Sequence, residues 1–238
     1  MLRITQLSGE ELTRIPIEEL SNVKVLKQRL HGKHGLPPRF RQRLLHGATT
    51  LDDAAKLDSA MDLEVVALRG FCGTSETQRT ALCHAIERDS VEEVEELLQI
   101  PMDPDAAIAG TDTPLMQASC TDSFKVAALL IEAGANLDLR DNAGRTALMA
   151  AAMFGCLRVL QCLVDSGAQM DLQDNQGFSA MMFAALYNQA FAASLLVDAG
   201  ARQDLRDNGG RTALHWATEA GNDAIEQLLL NPGELCEV

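Results

Sequence analysis

Aromatic side chains are scarce, at 4% of the 238 residues, with a single Trp and a single Tyr. A core built without them rests on Ala, Leu, Val and Met, whose compact aliphatic and thioether side chains let helices pack closely. Positive charge is also short, with 20 Lys and Arg against 34 Asp and Glu, a net charge of −14. The deficit is local: residues 1–70 hold 11 basic and 9 acidic groups, whereas residues 71–238 hold 9 and 25, a net −16. A field of that sign repels phosphate, which argues against nucleic acid or an anionic membrane as partner of the second part and favours proteins with basic surfaces.

No C-x-x-C spacing occurs among the cysteines at 72, 83, 120, 156, 162 and 236, and no His pair accompanies them. The expectation is therefore free thiols in a reducing compartment, with no metal and no disulfide framework. Met1–Leu20 alternates polar with apolar residues and includes Glu10, Glu11, Glu18 and Glu19, so it lacks the apolar core of a signal peptide. A cytoplasmic location is expected, with the nucleus as the other choice. The uncharged stretch between Asp174 and Asp198 is long enough for a bilayer, but it contains Asn188 and Gln189 and falls into the repeat described next. No membrane partner is expected.

What is abundant is periodicity. Thr80, Thr113, Thr146, Ser179 and Thr212 are spaced by 33, as are Leu82, Leu115, Leu148, Met181 and Leu214, and Ala85, Ala118, Ala151, Ala184 and Ala217. Each unit reads as turn, helix, tight turn, helix, loop. Asp and Gly build the turns at 141–144, 174–177 and 207–210, and Thr146 stands where a helix N-cap belongs. Gly155 and Gly221 suit left-handed caps, and Leu157, Val159, Leu160, Leu163 and Val164 space the buried stripe of a second helix.

The segments Gly144-Arg-Thr-Ala-Leu148, Gly210-Arg-Thr-Ala-Leu-His215 and Thr113-Pro-Leu115 resemble the ankyrin-repeat signature. The likeness implies five units at about 76–107, 108–140, 141–173, 174–206 and 207–238, stacked as an all-α solenoid. Only Pro114 keeps the family's proline and only His215 its histidine; the first unit has Asp89 and Pro101 at two glycine positions and reads as a polar cap.

Residues 1–70 show no echo of this period. Leu2 and Ile4 alternate, Ser8-Gly9 turns, and Leu12, Ile15 and Ile17 continue, which predicts a hairpin. Ser21 is the expected cap of a helix whose Val23, Leu26 and Leu30 face inward and whose Lys24, Lys27 and Arg29 face solvent, until Gly32 and Gly35 stop it. Then come Leu36-Pro37-Pro38, Arg43 to Gly47, Leu51-Asp-Asp53 and a last strand at 63–66. This order resembles ubiquitin and its relatives. The resemblance implies a β-grasp domain at 1–70, a linker at 71–75, and an α+β fold class for a chain whose second part is all-α. It also implies that Leu7, Leu45 and Val66 match the apolar patch read by ubiquitin receptors. The competing reading is that Leu45 and Val66 are ordinary exposed apolar residues.

No constellation for catalysis is present. Cys83 and His84 are adjacent, but helix neighbours point about 100° apart, and neither Gly32-Lys33 nor Gly209-Gly210 has the context of a phosphate loop. No enzyme activity and no cofactor are expected. On the array, Arg145, Phe178 and Arg211 follow the turn glycines, and Met153, Phe154, Leu186 and Tyr187 end the first helices. These seven form the candidate partner-binding cluster, since aromatic residues and arginine dominate hot spots. The alternative for Phe154 and Leu186 is the core between repeats. The whole reads as a monomeric, eukaryotic-type adaptor or scaffold. One module binds a client protein, and the other binds a ubiquitin-receptor or proteasome-type module. The alternative is a regulatory or structural docking module of a larger assembly without a ubiquitin-pathway role.

Overall fold

The computed structural model describes residues 1–68, 74–100, 102–107 and 112–231. The expected linker residues 71–73, together with Pro101, Cys72 and Cys236, lie outside them. Two compact units are present: Met1–Gly73 with the short segments Leu98–Asp103 and Glu132–Gly134, and the rest of the chain.

In the first unit, β1 (Leu2–Gln6) and β2 (Glu11–Ile15) form a hairpin. Helix α1 (Val23–His34) follows, then β3 (Gln42–His46), β4 (Thr49–Leu51) and β5 (Asp62–Ala67). The sheet order is β2-β1-β5-β3-β4. β1 runs parallel to β5, and the other pairs are antiparallel. Alternation turns Leu2, Ile4, Leu44, Leu63 and Val65 to one side, where Val23, Leu26 and Leu30 of α1 close a single core. A mixed sheet with its helix, followed by an all-helical array, is the α+β organisation that the resemblance implies.

Three local expectations need correction. Asn22 rather than Ser21 caps α1, its side chain accepting the Val25 N–H at 3.0 Å. Gly32 lies inside the helix, which ends at Gly35 with φ 63°. Lys27 is buried rather than solvated, and its Nζ donates to Asp53 Oδ1 at 2.6 Å. The buried Arg39 pairs with the same carboxylate. The cause is not local: Asp53 arrives from beyond β4, and helical periodicity carries no record of it. A buried ammonium requires such a partner.

In the second unit the described residues form five helix pairs: α2 (Glu76–Glu87) and α3 (Val91–Gln99), α4 (Pro114–Cys120) and α5 (Phe124–Glu132), α6 (Ala147–Phe154) and α7 (Leu157–Asp165), α8 (Ala180–Leu186) and α9 (Ala190–Asp198), α10 (Ala213–Glu219) and α11 (Asp223–Leu230). The first helices stack in sequence, α2 on α4, α4 on α6, α6 on α8, α8 on α10. The stack closes tightly because Ala85, Ala118, Ala151, Ala184 and Ala217 are all fully buried in it. Leu82, Leu115, Leu148 and Met181 are buried beside them, but Leu214 is only half-buried, as expected where no further helix pair follows among the described residues.

Each inner helix starts on a side-chain cap: Thr113, Thr146 and Ser179 accept the N–H three residues on, and Thr212 pairs with His215 Nδ1 at 2.8 Å. The first unit departs. α2 begins five residues early on a Ser75–Gln78 capping box, leaving Thr80 inside the helix with its hydroxyl donating to the Glu76 carbonyl. After each inner helix one residue takes the left-handed conformation at a 33-residue step: Asp89, Asp122, Gly155, Asn188 and Gly221. Asn and Asp bear that conformation better than other L residues, which is why two aspartates and an asparagine can replace glycine there. No helix among the described residues is long and apolar enough to cross a membrane; the uncharged stretch is α8 and α9 with a break between them.

Candidate functional site

The turn aspartates first fix the framework. Asp141, Asp174 and Asp207 each accept backbone N–H bonds from residues two and four places on, at 2.8–2.9 Å. Arg145 adds its guanidinium to Asp141, Nε at 2.8 Å and Nη2 at 2.7 Å. Arg211 does the same at Asp207, at 3.2 Å, while lying 3.6 Å over the Trp216 ring, and Trp216 Nε1 donates to Asp207 at 3.1 Å. The side-chain bond from Asp141 holds the Arg145 guanidinium above its ordinary basicity. Both arginines are therefore committed to their own turns.

Of the seven residues expected to meet a partner, the structure brings Arg145, Met153 and Phe154 into one cavity of about 400 Å³ on the inner-helix face of the array. Phe154 is 52% exposed and Met153 half-buried, so Phe154 does not disappear into the core between repeats. Phe178 requires correction. It is only 8% exposed, with its ring 5.2 Å from Phe183 and 4.9 Å from Trp216. An aromatic ring at the position where neighbouring units place arginine cannot ion-pair with its turn carboxylate, Asp174, and burial against two rings is its stable state. Leu186 is half-buried and Tyr187 is 51% exposed, and neither lines the cavity.

Sequence reasoning missed much of the wall. Met116, Met149 and Phe183 supply apolar surface, and Glu87, Asp112 and Gln117 polar groups. A signal existed, since Cys83, Met116 and Met149 share one register position, as do Gln117, Ala150 and Phe183. Cys83 donates its thiol to Glu87 at 3.6 Å rather than to His84, which is exposed. Cys120 also lines the cavity; desolvation, with Asp112 adding to it, pushes its thiol up, so it stays protonated at neutral pH. A second surface that the sequence reading did not single out lies on the outer helices, where Phe191 of α9 is 78% exposed above a shallow hollow shared with Leu157 and Gln161 of α7.

On the sheet unit, register places Leu45 opposite Glu64 and Val66 opposite Arg43. Leu45 and Val66 are thus diagonal neighbours on the face turned away from the core, both half-buried, while Leu7 just beyond β1 is 65% exposed.

No curated protein matches the chain. The family model described as Ankyrin repeats (3 copies) does match, at residues 51–141, 106–174 and 148–237. With most of the sequence covered, and with five capped helix pairs stacked on buried alanines, the chain belongs to the ankyrin-repeat family, whose arrays serve as protein-interaction modules.

Proposed function

We propose that the protein is a non-enzymatic adaptor: the inner-helix cavity captures a client protein, and the sheet unit, through Leu7, Leu45 and Val66, links that client to a ubiquitin-receptor or proteasome-type module. The supporting observation is that Arg145, Met153 and Phe154, at register positions whose side chains vary from unit to unit, line one cavity. Two modules on one chain raise the effective concentration of one partner near the other without new contacts. The sheet order and the outward placement of Leu45 and Val66 suit the second half of this reading. Their half-burial favours the other reading, in which the sheet unit is a docking module of a larger assembly with no ubiquitin-pathway role.

The test has two arms on the full chain. A client identified by photocrosslinking from position 154 is purified and titrated against the parent, Phe154→Ala and Gln161→Ala. Truncating a true anchor costs about 2 kcal/mol, roughly thirtyfold in affinity, and the exposed outer-helix Gln161 serves as control. In the second arm a purified ubiquitin-receptor helix is titrated against the parent and Leu45→Ala. Loss of binding in the variant supports the link; no binding by the parent selects the docking-module reading.

A further inference from the structure

We propose that the inner-helix cavity recognises an arginine side chain presented by a partner polypeptide, an inference that rests on the client-capture reading above and names what is recognised. The cavity holds Met116, Met149, Met153, Phe154 and Phe183 as walls. Thioether and ring surfaces of this kind take an alkyl stem and stack on a planar, weakly hydrated guanidinium better than on an ammonium.

The polar groups point the same way. Three carboxylates, Glu87, Asp112 and Asp141, face one cation, Arg145, and that cation is already bound to Asp141 through both Nε and Nη2. Among the described residues neither Glu87 nor Asp112 has an ion-pair partner. The donors nearby are used internally. Gln117 Nε2 gives to Glu87 Oε1 and Cys83 Sγ, each at 3.4 Å, and the Cys83 thiol gives to Glu87. Arg145 also feels the Asp112 charge, but one cation against three carboxylates leaves acceptors and an excess of negative charge in the lining. An acidic side chain would be repelled there, and a purely apolar one would strip water from carboxylates and offer nothing in return. A guanidinium meets both needs, and the −16 charge of residues 71–238 steers it in. Phe154, half exposed at the edge, gives the residues flanking that arginine an apolar surface to lie on.

The experiment labels the methionine methyl groups of the full chain with ¹³C and titrates it with capped heptapeptides of Gly, Ser and Ala that differ only at the centre: arginine, its uncharged isostere citrulline, or glutamate. The expected result is that the Met116, Met149 and Met153 methyl signals move with the arginine peptide, saturate at least tenfold later with citrulline, and stay fixed with glutamate. In the variant Glu87→Gln/Asp112→Asn, with Trp216 fluorescence confirming the fold, the preference of arginine over citrulline disappears. Equal saturation by arginine and citrulline at these methyls overturns the charge recognition and leaves the client-capture reading standing. No movement of these methyls with any peptide also overturns it, and the Phe154→Ala titration of the client then decides the client-capture reading by itself.

Discussion

The sheet unit and the helical array bury comparable aliphatic side chains by opposite means. In the sheet unit, Leu2 meets Leu44 and Leu63 in one core around α1, so its contacts join residues far apart in sequence. In the array, alanines at a 33-residue step pack among adjacent helices only, and the turns at 141–144, 174–177 and 207–210 bond one another in sequence. Contacts of the first kind form together or not at all, whereas those of the second are nearly a sum over neighbours. A defect should therefore spread through the sheet unit and stay local in the array.

The largest effect expected is from Leu26→Ala, since Leu26 is fully buried at the centre of the sheet unit's core. Deleting a buried leucine costs about 2–5 kcal/mol, a large part of the roughly 5–15 kcal/mol that holds a domain together. Amide exchange throughout β1, β3 and β5 should accelerate together. Trp216, the single tryptophan, lies in α10 and reports only the array, so its urea midpoint should stay put. A Trp216 midpoint that moves in step with the sheet would abolish the distinction.

Next is a pair within the array. Gly177 has φ +86°, and a Cβ there would lie 2.7 Å from the Asn208 nitrogen and 2.8 Å from the Asp207 Cα. Gly210 has φ +81° with nothing within 4 Å. Both Gly→Ala changes incur the left-handed penalty of about 1–2 kcal/mol, but only Gly177→Ala must also displace the following turn. Its loss of stability, read by Trp216 fluorescence in urea, should exceed that of Gly210→Ala; equal losses would mean that adjacent turns do not constrain each other.

The smallest effect is in acid. Burial raises the Asp207 carboxyl, but the Arg211 and Gly209 N–H bonds, the Arg211 charge and the Trp216 donor outweigh it and hold it below its ordinary 3.8. In the sheet unit, side-chain bonds from Arg14 and then Arg3 take Glu11 from 4.5 to about 2. Each carboxylate is favoured in its charged form by folding. Its contribution is complete above the ordinary value and is lost as pH falls through the lowered one. The array should thus begin losing the Asp207 contribution below pH 3.8, while part of the Glu11 contribution persists to about pH 2. Asp207→Asn should flatten the acid limb of the Trp216 transition and leave exchange in the sheet unit unchanged.

How far the sequence was legible follows the same division. The period located Thr113, Thr146 and Ser179 at helix starts, because capping is a local act within three residues. It failed at Thr80, where Ser75 and Gln78 start the helix sooner. In the sheet unit the elements were readable but Lys27 was not, since its partner Asp53 is distant in sequence. At the candidate site, Arg145, Met153 and Phe154 could be found as residues the repeat does not require, whereas Phe178 could not be placed. Its fate depends on Phe183 and Trp216, and a register gives positions along the array but not which side chains turn toward one another.

The turn tips hold a consequence for chain length. Asn175 Nδ2 donates to the Asn142 carbonyl at 2.9 Å and Asn208 Nδ2 to the Asn175 carbonyl at 3.0 Å, while the Asn175 and Asn208 N–H groups reach the Ala143 and Gln176 carbonyls. Asp138 and Asp171 receive N–H bonds from Gln169 and Arg202 in the same stepwise fashion. Removing or duplicating a whole 33-residue period returns every donor to an identical acceptor, whereas any other insertion between tips leaves a rung open. The array can grow or shrink only in whole steps, so its ladder of amides works as a ruler that admits changes of one fixed size.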